Sequence, residues 1–305
     1  MDGHPATRKP ATVVRGSEQQ DQLAGIATIQ ASQHQGLSMD IQRALPHPQL
    51  RRVLRAFEER RVELGSAVLA WPVPARPHQI LIFHLAEPYR VRIDGGHAAT
   101  MPDTGLIGPQ SYRRAHVCLM GSVHVFTILF QPTGLNRLVG LDMTSMLNQD
   151  PAASDVLGRS AAGLGDAVRR APDFGLRVAA VERWVAARLE ARGPDCVIGW
   201  ASRRMLDDRG GARIQDLVAD AGLSARQFQR RFATQVGMPP KLFARTIRFD
   251  RALAARRDGR RSWTDIVHDL GYFDQAHFIR ECHAFAGLPP VSLIGDWDNI
   301  FFPGG

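Results

Sequence analysis

The sequence is poor in cysteine and has no long hydrophobic run. Its 305 residues include only three cysteines, Cys118, Cys196 and Cys282, which are odd in number and far apart. This usage argues against a disulfide framework and favours a reducing compartment, so we expect a cytoplasmic protein. No segment approaches about 18 consecutive apolar residues, and the polar start has no apolar signal-peptide core, so we expect neither a membrane span nor secretion.

Common catalytic and metal-binding motifs are also missing. The chain has no P-loop, no Gly-x-Gly-x-x-Gly fingerprint and no evident Ser-His-Asp order. It also lacks the His-x-His pair that would place two ligands on one face of a barrel strand. The candidate ligands, which are better explained as structural residues, are His78, His84, Glu87, His97, His116 and His124. We therefore expect no metal and no cofactor.

Positive charge is in excess and is concentrated near the C-terminus. The formal net charge is +8 and the pI is about 10.3, which favours an acidic partner such as nucleic acid. Residues 203–294 hold 16 Lys and Arg against 10 Asp and Glu, which accounts for most of the excess. Candidates for phosphate contacts in this region are Arg231, Lys241, Arg245, Arg256, Arg257, Arg260 and Arg261.

The N-terminal half changes character along its length. Residues 1–40 are polar and predict a disordered leader, and residues 50–64 predict a charged helix. The apolar segments 78–86 and 116–132, separated by Gly, Pro and Asp clusters, predict strands of an antiparallel sandwich or small barrel. Helical patterns follow over 134–147 and 155–169.

The segment 173–192 has the clearest helical pattern of this half. Val178, Val181, Val185 and Leu189 recur at the spacing of a single helical stripe. The stripe fits either a dimer helix or a helix that packs on the sheet of the same chain. The sequence RGPD at 192–195 predicts the end of the helix and a domain boundary.

An internal repeat dominates the C-terminal part. LVADAGLSARQFQRRFATQVGMPP (217–240) aligns with IVHDLGYFDQAHFIRECHAFAGLPP (266–290), and the second copy has one extra residue in its turn. Each copy predicts a short apolar helix, a closing glycine and an N-cap before a second helix, which together form a helix-turn-helix unit. The closing glycines are Gly222 and Gly271, and the cap candidates are Ser224 and Asp274.

The second helix of each copy has an apolar face and an outward face. Phe228 and Phe232 turn inward in helix 225–236, as do Phe278 and Cys282 in helix 275–284. Arginine and glutamine on the outward sides are base-reading residue types, because Arg bonds guanine and Gln bonds adenine in the major groove. The alternative is a solvated arginine face. The outward and flanking residues include Arg226, Gln227, Gln229 and Arg230 in the first helix, and Gln275, Ala276 and Arg280 in the second.

The second of these helices also concentrates residue types that bind metals. Asp274, His277, Glu281, Cys282 and His283 stand close together in DQAHFIRECHAF. On a helix these side chains diverge, and only His277 and Glu281, four residues apart, can meet. A pair is too few for a zinc site, so the pattern favours a reading helix over a metal centre.

A long helix predicted over 239–258 joins the two units. Leu242, Phe243, Ile247 and Leu253 are available for packing along it. A rigid connector of this kind suits two reading helices that enter successive major grooves, about 34 Å apart.

Two segments resemble the AraC family of bacterial transcription regulators over residues 197–294: LSARQFQRRFATQVGMPPKLFARTIRFDRALA and DIVHDLGYFDQAHFIRECHAFAGLPPVSL. The resemblance implies two units on a connecting helix, each with its second helix in the major groove. By position it implies base reading by Arg226, Gln227, Gln229, Arg230, Gln275, Ala276 and Arg280. Cys282 replaces the aromatic residue usual at its position, which implies looser packing of the second unit.

For the N-terminal half, the resemblance implies a cupin-like barrel that binds a small-molecule effector or forms a homodimer. PHQILIFHLAEPYRVRIDG and GPQSYRRAHVCLMGSVHVFTILFQPTG carry this part of the resemblance. The effector-binding candidates are Trp71, His84, Tyr112 and Arg113. For Trp71 the alternative is packing against neighbouring prolines, and for Tyr112 and Arg113 it is a solvated strand end.

The expected fold class is α+β: an N-terminal cupin-like antiparallel β-barrel with flanking helices, then a C-terminal all-α double helix-turn-helix domain. The expected divisions are a leader (1–40), a sensor or dimerisation domain (45–195), a DNA-binding domain (197–294) and a tail (295–305). We expect a non-enzymatic regulator that binds double-stranded promoter DNA. The alternative is a metal-dependent cupin-type enzyme fused to a DNA-binding domain.

Overall fold

The computed structural model describes residues 12–15, 38–94, 96–113, 115–189, 196–257 and 261–293, and it confirms the α+β class. The strands are β1 (Thr12–Arg15), β2 (Ser38–Ala44), β3 (Leu54–Val73), β4 (Ile80–His84), β5 (Arg90–Ile93), β6 (Ala98–Thr100), β7 (Thr104–Ile107) and β8 (Ala115–Phe130). The helices are α1 (Gly134–Val139), α2 (Ala153–Leu157), α3 (Arg159–Arg170), α4 (Phe174–Leu189), α5 (Val197–Asp207), α6 (Ile214–Asp220), α7 (Ala225–Val236), α8 (Pro240–Arg257), α9 (Trp263–Asp269) and α10 (Gln275–Ala286). None of the described helices is long and apolar enough to cross a membrane.

Two long antiparallel strands, β3 and β8, organise the sheet. They pair from Leu54↔Phe130 to Val73↔Ala115, with a register shift after Glu63. The shift bends the pair into two halves, of which β2, β4 and β7 extend one, and β1, β5 and β6 extend the other.

The sheet path through the described strands is open, with β1 and β7 at its ends, so the predicted closed barrel is wrong for these strands. The outer edge of β7 is occupied by the loop that follows α1 rather than by another strand. Leu106 N donates to Pro151 O at 3.0 Å, and Gly108 N donates to Gln149 O at 2.9 Å. These hydrogen bonds occupy backbone groups at the edge of β7 and prevent this edge from pairing with a further strand.

The predicted helix over 50–64 is wrong, because residues from Leu54 onward lie in β3. The charges that suggested an exposed helix are buried on both faces of this strand: Glu58, Glu59 and Arg60 are all below 8 % exposed. Each finds an ion-pair partner within the fold, which makes charge compatible with a buried strand.

The predicted helix over 173–192 is confirmed as α4, and its apolar stripe packs on the same chain. Val181 and Val185 are buried in one core with Phe57, Phe83 and Phe126 of the sheet. The stripe therefore packs on the sheet of the same chain, which is one of the two predicted alternatives, and stabilises the N-terminal half. The predicted boundary at 192–195 lies outside the described residues.

Two segments of residues 1–40 lie in strands of the sheet. Thr12–Arg15 pair with residues 67–70 of β3, and Ser38–Asp40, the start of β2, pair with residues 61–63. The remaining residues of the leader and the tail 295–305 lie outside the described part of the chain.

Candidate nucleic-acid interface

The first helix-turn-helix unit consists of α6 and α7. Gly222 closes the turn with φ +63°. Ser224 Oγ accepts from Gln227 N at 3.3 Å, and the Gln227 side chain accepts from Ser224 N at 3.2 Å, which forms a capping box. Phe228 and Phe232 lie in the core, where the Phe232 ring is 5.4 Å from that of Phe243 in α8. The predicted caps and inward residues of this unit are confirmed.

The second unit, α9 and α10, repeats this arrangement with different residues. Gly271 has φ +68°, and Asp274 Oδ1 accepts from His277 N at 2.6 Å. Phe278 and Cys282 are fully buried, as predicted. The ring of Phe278 lies 5.1 Å from Trp263 and 5.0 Å from Tyr272, and Cys282 belongs to the same core.

The connector α8 joins the cores of the two units. Phe243 and Ile247 lie in the first core, Leu253 lies in the second, and Leu242 packs against both. A single 18-residue helix therefore fixes how far apart the two units sit. The helix predicted over 239–258 is confirmed as α8.

The predicted base-reading residues are all exposed on their helices. The set consists of Arg226, Gln227, Gln229 and Arg230 on α7, and Gln275, Ala276 and Arg280 on α10. Arg230 and Arg280 are two residues beyond the first inward phenylalanine of their helices, Phe228 and Phe278. Each therefore presents a guanidinium group at the same place in its unit. Gln227 differs from the others because its carbonyl oxygen already caps α7.

The predicted phosphate contacts divide into two groups. Arg231 and Lys241 are exposed and are available to a ligand. Arg245 pairs with the buried Glu281 at 2.6 Å, and Arg261 pairs with Asp269. Arg256 donates to Arg261 O at 2.6 Å, so these arginines stabilise the fold as well as contributing charge. The side chain of Arg257 and the whole of Arg260 lie outside the described residues.

A basic cleft of about 880 Å³ lies between the two units. Its charged lining is Arg213, Lys241, Arg245, Arg248, Arg280 and Glu281. Arg213 and Arg248 were not among the predicted phosphate contacts: Arg213 lies directly before α6, and Arg248 lies on α8, the helix that also carries Lys241 and Arg245. Arg248 Nη1 donates to Gly210 O at 3.1 Å, which ties the start of the first unit to α8.

The metal-like cluster on α10 does not converge. His277 Nε2 lies 3.8 Å from Glu281 Oε1, whereas Glu281 is buried and bound to Arg245. Within the described ranges, no three or more His, Cys, Asp and Glu side chains are grouped so as to hold a metal ion. Glu281 thus joins α10 to the connector.

The effector-binding candidates lie on separate elements. His84 is buried on β4, where Nδ1 donates to Pro102 O at 3.0 Å and burial lowers the pKa of the ring. Arg113 donates to Asp94 at 3.1 Å, and Tyr112 is about half exposed in the same loop. The backbone of Trp71 lies in β3, while its side chain is not among the described groups.

A small cavity of about 60 Å³ lies inside the bent sheet. Apolar residues such as Val62, Ile82 and Leu119 line it together with Arg60, Arg76 and Tyr89. Burial lowers the pKa of both arginines and raises that of Tyr89 to about 12. The described side chains of His84, Tyr112 and Arg113 do not line this cavity. Arg60 was not predicted as a cavity residue, because it lies in the segment 50–64 that was wrongly predicted as a helix.

The N-terminal half contacts both units and the connector. Gln79 Nε2 donates to Val236 O at the end of α7 at 3.2 Å, and Ala75 N donates to Phe285 O in α10 at 2.8 Å. Between them, His78 Nε2 lies 3.2 Å from Asp250 Oδ2 of α8. These contacts connect the sheet to the C-terminal ends of both reading helices.

Comparison with known families divides the chain in the same way. Residues 217–294 match a helix-turn-helix domain family, and residues 42–151 match a domain of unknown function, DUF6597. Among curated proteins, none matches the chain significantly.

Solved structures of similar fold include ToxT from Vibrio cholerae O395 bound to (E)-4-(8-methylnaphthalen-1-yl)but-3-enoic acid. It is 9 % identical and has a TM-score of 0.42, over 84 % of this chain and 97 % of that one. The AraC-like transcriptional activator CuxR is 15 % identical with a TM-score of 0.25, over 72 % of this chain and 88 % of that one. At these scores the likenesses support no conclusion about this chain. The domain match and the two units on α8 carry the assignment: residues 217–294 are a helix-turn-helix domain of the AraC type, the DNA-binding domain of transcription regulators.

Proposed function

We propose that the protein regulates transcription by reading two adjacent major grooves of a promoter with α7 and α10. The observation that supports this most strongly is the equivalent placement of Arg230 and Arg280, both exposed, on helices that share the connector α8. Recognition helices of this type contact base edges in the major groove, and paired units bind sites about one helical turn apart.

The roles of the exposed side chains follow from their chemistry. Arg226, Arg230 and Arg280 would donate two hydrogen bonds to guanine, and Gln229 and Gln275 would pair with adenine. Gln227 keeps its amide nitrogen for such a contact while its oxygen caps the helix. Ala276 offers only its methyl group. It would either contact the methyl group of thymine or make no contact with a base.

Phosphate contacts would supply affinity rather than specificity. Among the described side chains of the predicted set, Arg231 and Lys241 are exposed, and Lys241 lines the cleft together with the exposed Arg213. A DNA backbone that enters the cleft would meet Lys241 and Arg213. Arg245 would contribute its charge from a position fixed by Glu281.

The N-terminal half would control DNA binding through a small-molecule effector or through a homodimer. Its direct contacts with α7, α8 and α10 support a controlling role, because a shift of the sheet would move both reading helices. The charge of Arg60 is paired with Glu58, so Arg76 is the lining charge that favours a small ligand with an anionic group in this cavity. The loop with Tyr112 and Arg113 remains the proposed surface for a larger effector.

A selection experiment with salt titration tests the proposal. The full chain is incubated with a pool of random duplex DNA, and bound sequences are enriched over several rounds. We expect one enriched sequence, whose affinity falls steeply with salt because several phosphates are neutralised. An unchanged pool after selection, or binding that does not respond to salt, would contradict the proposal.

A further inference from the structure

The extra residue in the second copy of the repeat is an exposed phenylalanine. From the closing glycine to the N-cap, the first copy has one residue, Leu223, whereas the second has two, Tyr272 and Phe273. Phe273 is 91 % exposed, the highest value among the large apolar side chains of the described residues. It lies directly before Asp274, the cap of α10.

Helix capping does not account for Phe273. An apolar residue directly before an N-cap usually packs against the fourth residue of the helix as a hydrophobic staple. Leu223 fits this rule, since it packs in the same core as Phe228, the fourth residue of α7. In the second unit Tyr272 takes that place, with its ring 5.0 Å from Phe278. Because Tyr272 fills the place that Leu223 has in the first unit, the extra residue Phe273 lies outside the core.

The position of Phe273 is next to the reading face of α10. Gln275, Ala276 and Arg280 follow it along the exposed side of the helix, and Arg280 lies at the basic cleft. Residues at the N-terminal end of a recognition helix are the ones that approach base edges. A large apolar ring at that end has one specific partner in the major groove, the C5-methyl group of thymine.

We infer that Phe273 reads thymine in the half-site contacted by the second unit. The inference rests on the proposed function and adds a specificity-determining residue to it. Ala276, the second residue of α10, has a short side chain that reaches less far into the groove. The larger ring of Phe273 supplies the apolar contact with thymine instead. Binding would bury the ring against thymine methyl groups and so remove it from water.

Thymine-to-deoxyuridine exchange tests this contact, because it removes only the C5-methyl group. The duplex enriched by the wild-type full chain is prepared with each thymine replaced in turn, and binding is measured for wild type and Phe273→Ala. We expect Phe273→Ala to bind the parent duplex about tenfold more weakly. At one or two thymines of the second half-site, exchange should weaken wild-type binding about fourfold and leave Phe273→Ala unaffected.

Two variants control for general effects. Phe273→Leu keeps an apolar side chain and should retain part of the sensitivity to the methyl group. Val291→Ala removes another exposed apolar side chain beyond the opposite end of α10 and should bind like wild type. Since Phe273 is almost fully exposed, thermal unfolding of Phe273→Ala should match that of wild type.

The outcomes separate the inference from the proposed function. If wild type enriches a sequence but Phe273→Ala binds it equally well, or if both proteins respond equally to every exchange, the inference is wrong and the proposed function stands. An enriched second half-site without thymine also overturns the inference. If wild type enriches no sequence, the proposed function itself fails.

Discussion

In the proposed function, recognition of the DNA sequence depends most on Arg230 and Arg280. Both are exposed at equivalent positions of α7 and α10. We predict that Arg230→Ala and Arg280→Ala each weaken binding to the enriched duplex by about 1–3 kcal/mol, because each loses a bidentate contact to a base. Affinity for unrelated DNA should change much less. Titrations at one fixed salt concentration measure both, and unchanged specific binding by both variants would remove these residues from the reading set.

Arg231 is the matched comparison for Arg230, since it is its neighbour on α7 and is also exposed. We predict that Arg231→Ala weakens specific and unrelated binding to the same degree, because a phosphate contact carries no sequence information. The slope of log affinity against log salt should fall by about 1. A loss confined to the enriched duplex would instead place Arg231 among the base-reading residues.

The sequence was enough to predict which residues of α7 and α10 face outward. It was not enough to predict which residues the arginines bind. A helical wheel places Arg230 and Arg280 outward from the sequence alone. Arg245 binds Glu281, which lies 36 positions away on another helix, so no local sequence pattern indicates this ion pair. Arg261 was also predicted as a phosphate contact, while the fold pairs it with Asp269 on α9.

At the level of elements, local signals were enough for the helices and failed for β3. Caps and apolar spacing predicted α4, α7, α8 and α10, because these signals act over one or two turns. The charged start of β3 reads as a helix because its partners are remote: Glu59 binds Arg177, which lies 118 residues away. Such pairing is visible only once the sheet has formed.

The contacts of Glu59 with Arg177 and His124 should contribute strongly to the packing of α4 on the sheet. Glu59 binds Arg177 at 2.8 Å and His124 at 2.7 Å, and all three side chains are largely buried. We predict that Glu59→Ala lowers the free energy of unfolding by about 3 kcal/mol, since it leaves the Arg177 charge buried without its partner. The exposed Glu63→Ala should cost below about 1 kcal/mol. Urea unfolding of both variants checks this, and equal losses would contradict it.

For the whole molecule, contacts between the N-terminal half and α8 make stability depend on pH. His78 Nδ1 faces Arg55 Nη1 at 3.2 Å, while Nε2 faces Asp250 at 3.2 Å. The arginine must donate, so the ring is neutral with its proton on Nε2. Burial is the main cause that lowers the pKa of His78, and the charges of Arg55 and Arg76 lower it further, against the opposing effect of Asp250.

This lowered pKa predicts acid sensitivity. Below pH 6.5, the ordinary pKa of histidine, the unfolded chain binds a proton at His78 more readily than the folded chain does. The stability of the fold therefore falls as the pH drops below 6.5, and it is fully present above that pH. His84 and His116 act in the same direction. We predict that His78→Gln reduces this dependence, since the amide can donate to Asp250 and accept from Arg55 without titrating. Thermal unfolding between pH 8 and about pH 5.5 measures it, and an identical slope in the variant would contradict the account.

The central claim is that one chain reads two adjacent grooves with two equivalent helices, and base-preference mapping tests it most directly. Enriched sequences are compared for wild type, Arg230→Ala and Arg280→Ala. We predict that wild type prefers two clusters of bases centred about 10 base pairs apart. Arg230→Ala should lose preference in one cluster only, and Arg280→Ala in the other only. Loss in the same cluster for both variants, or a wild-type preference confined to one cluster, would contradict the account.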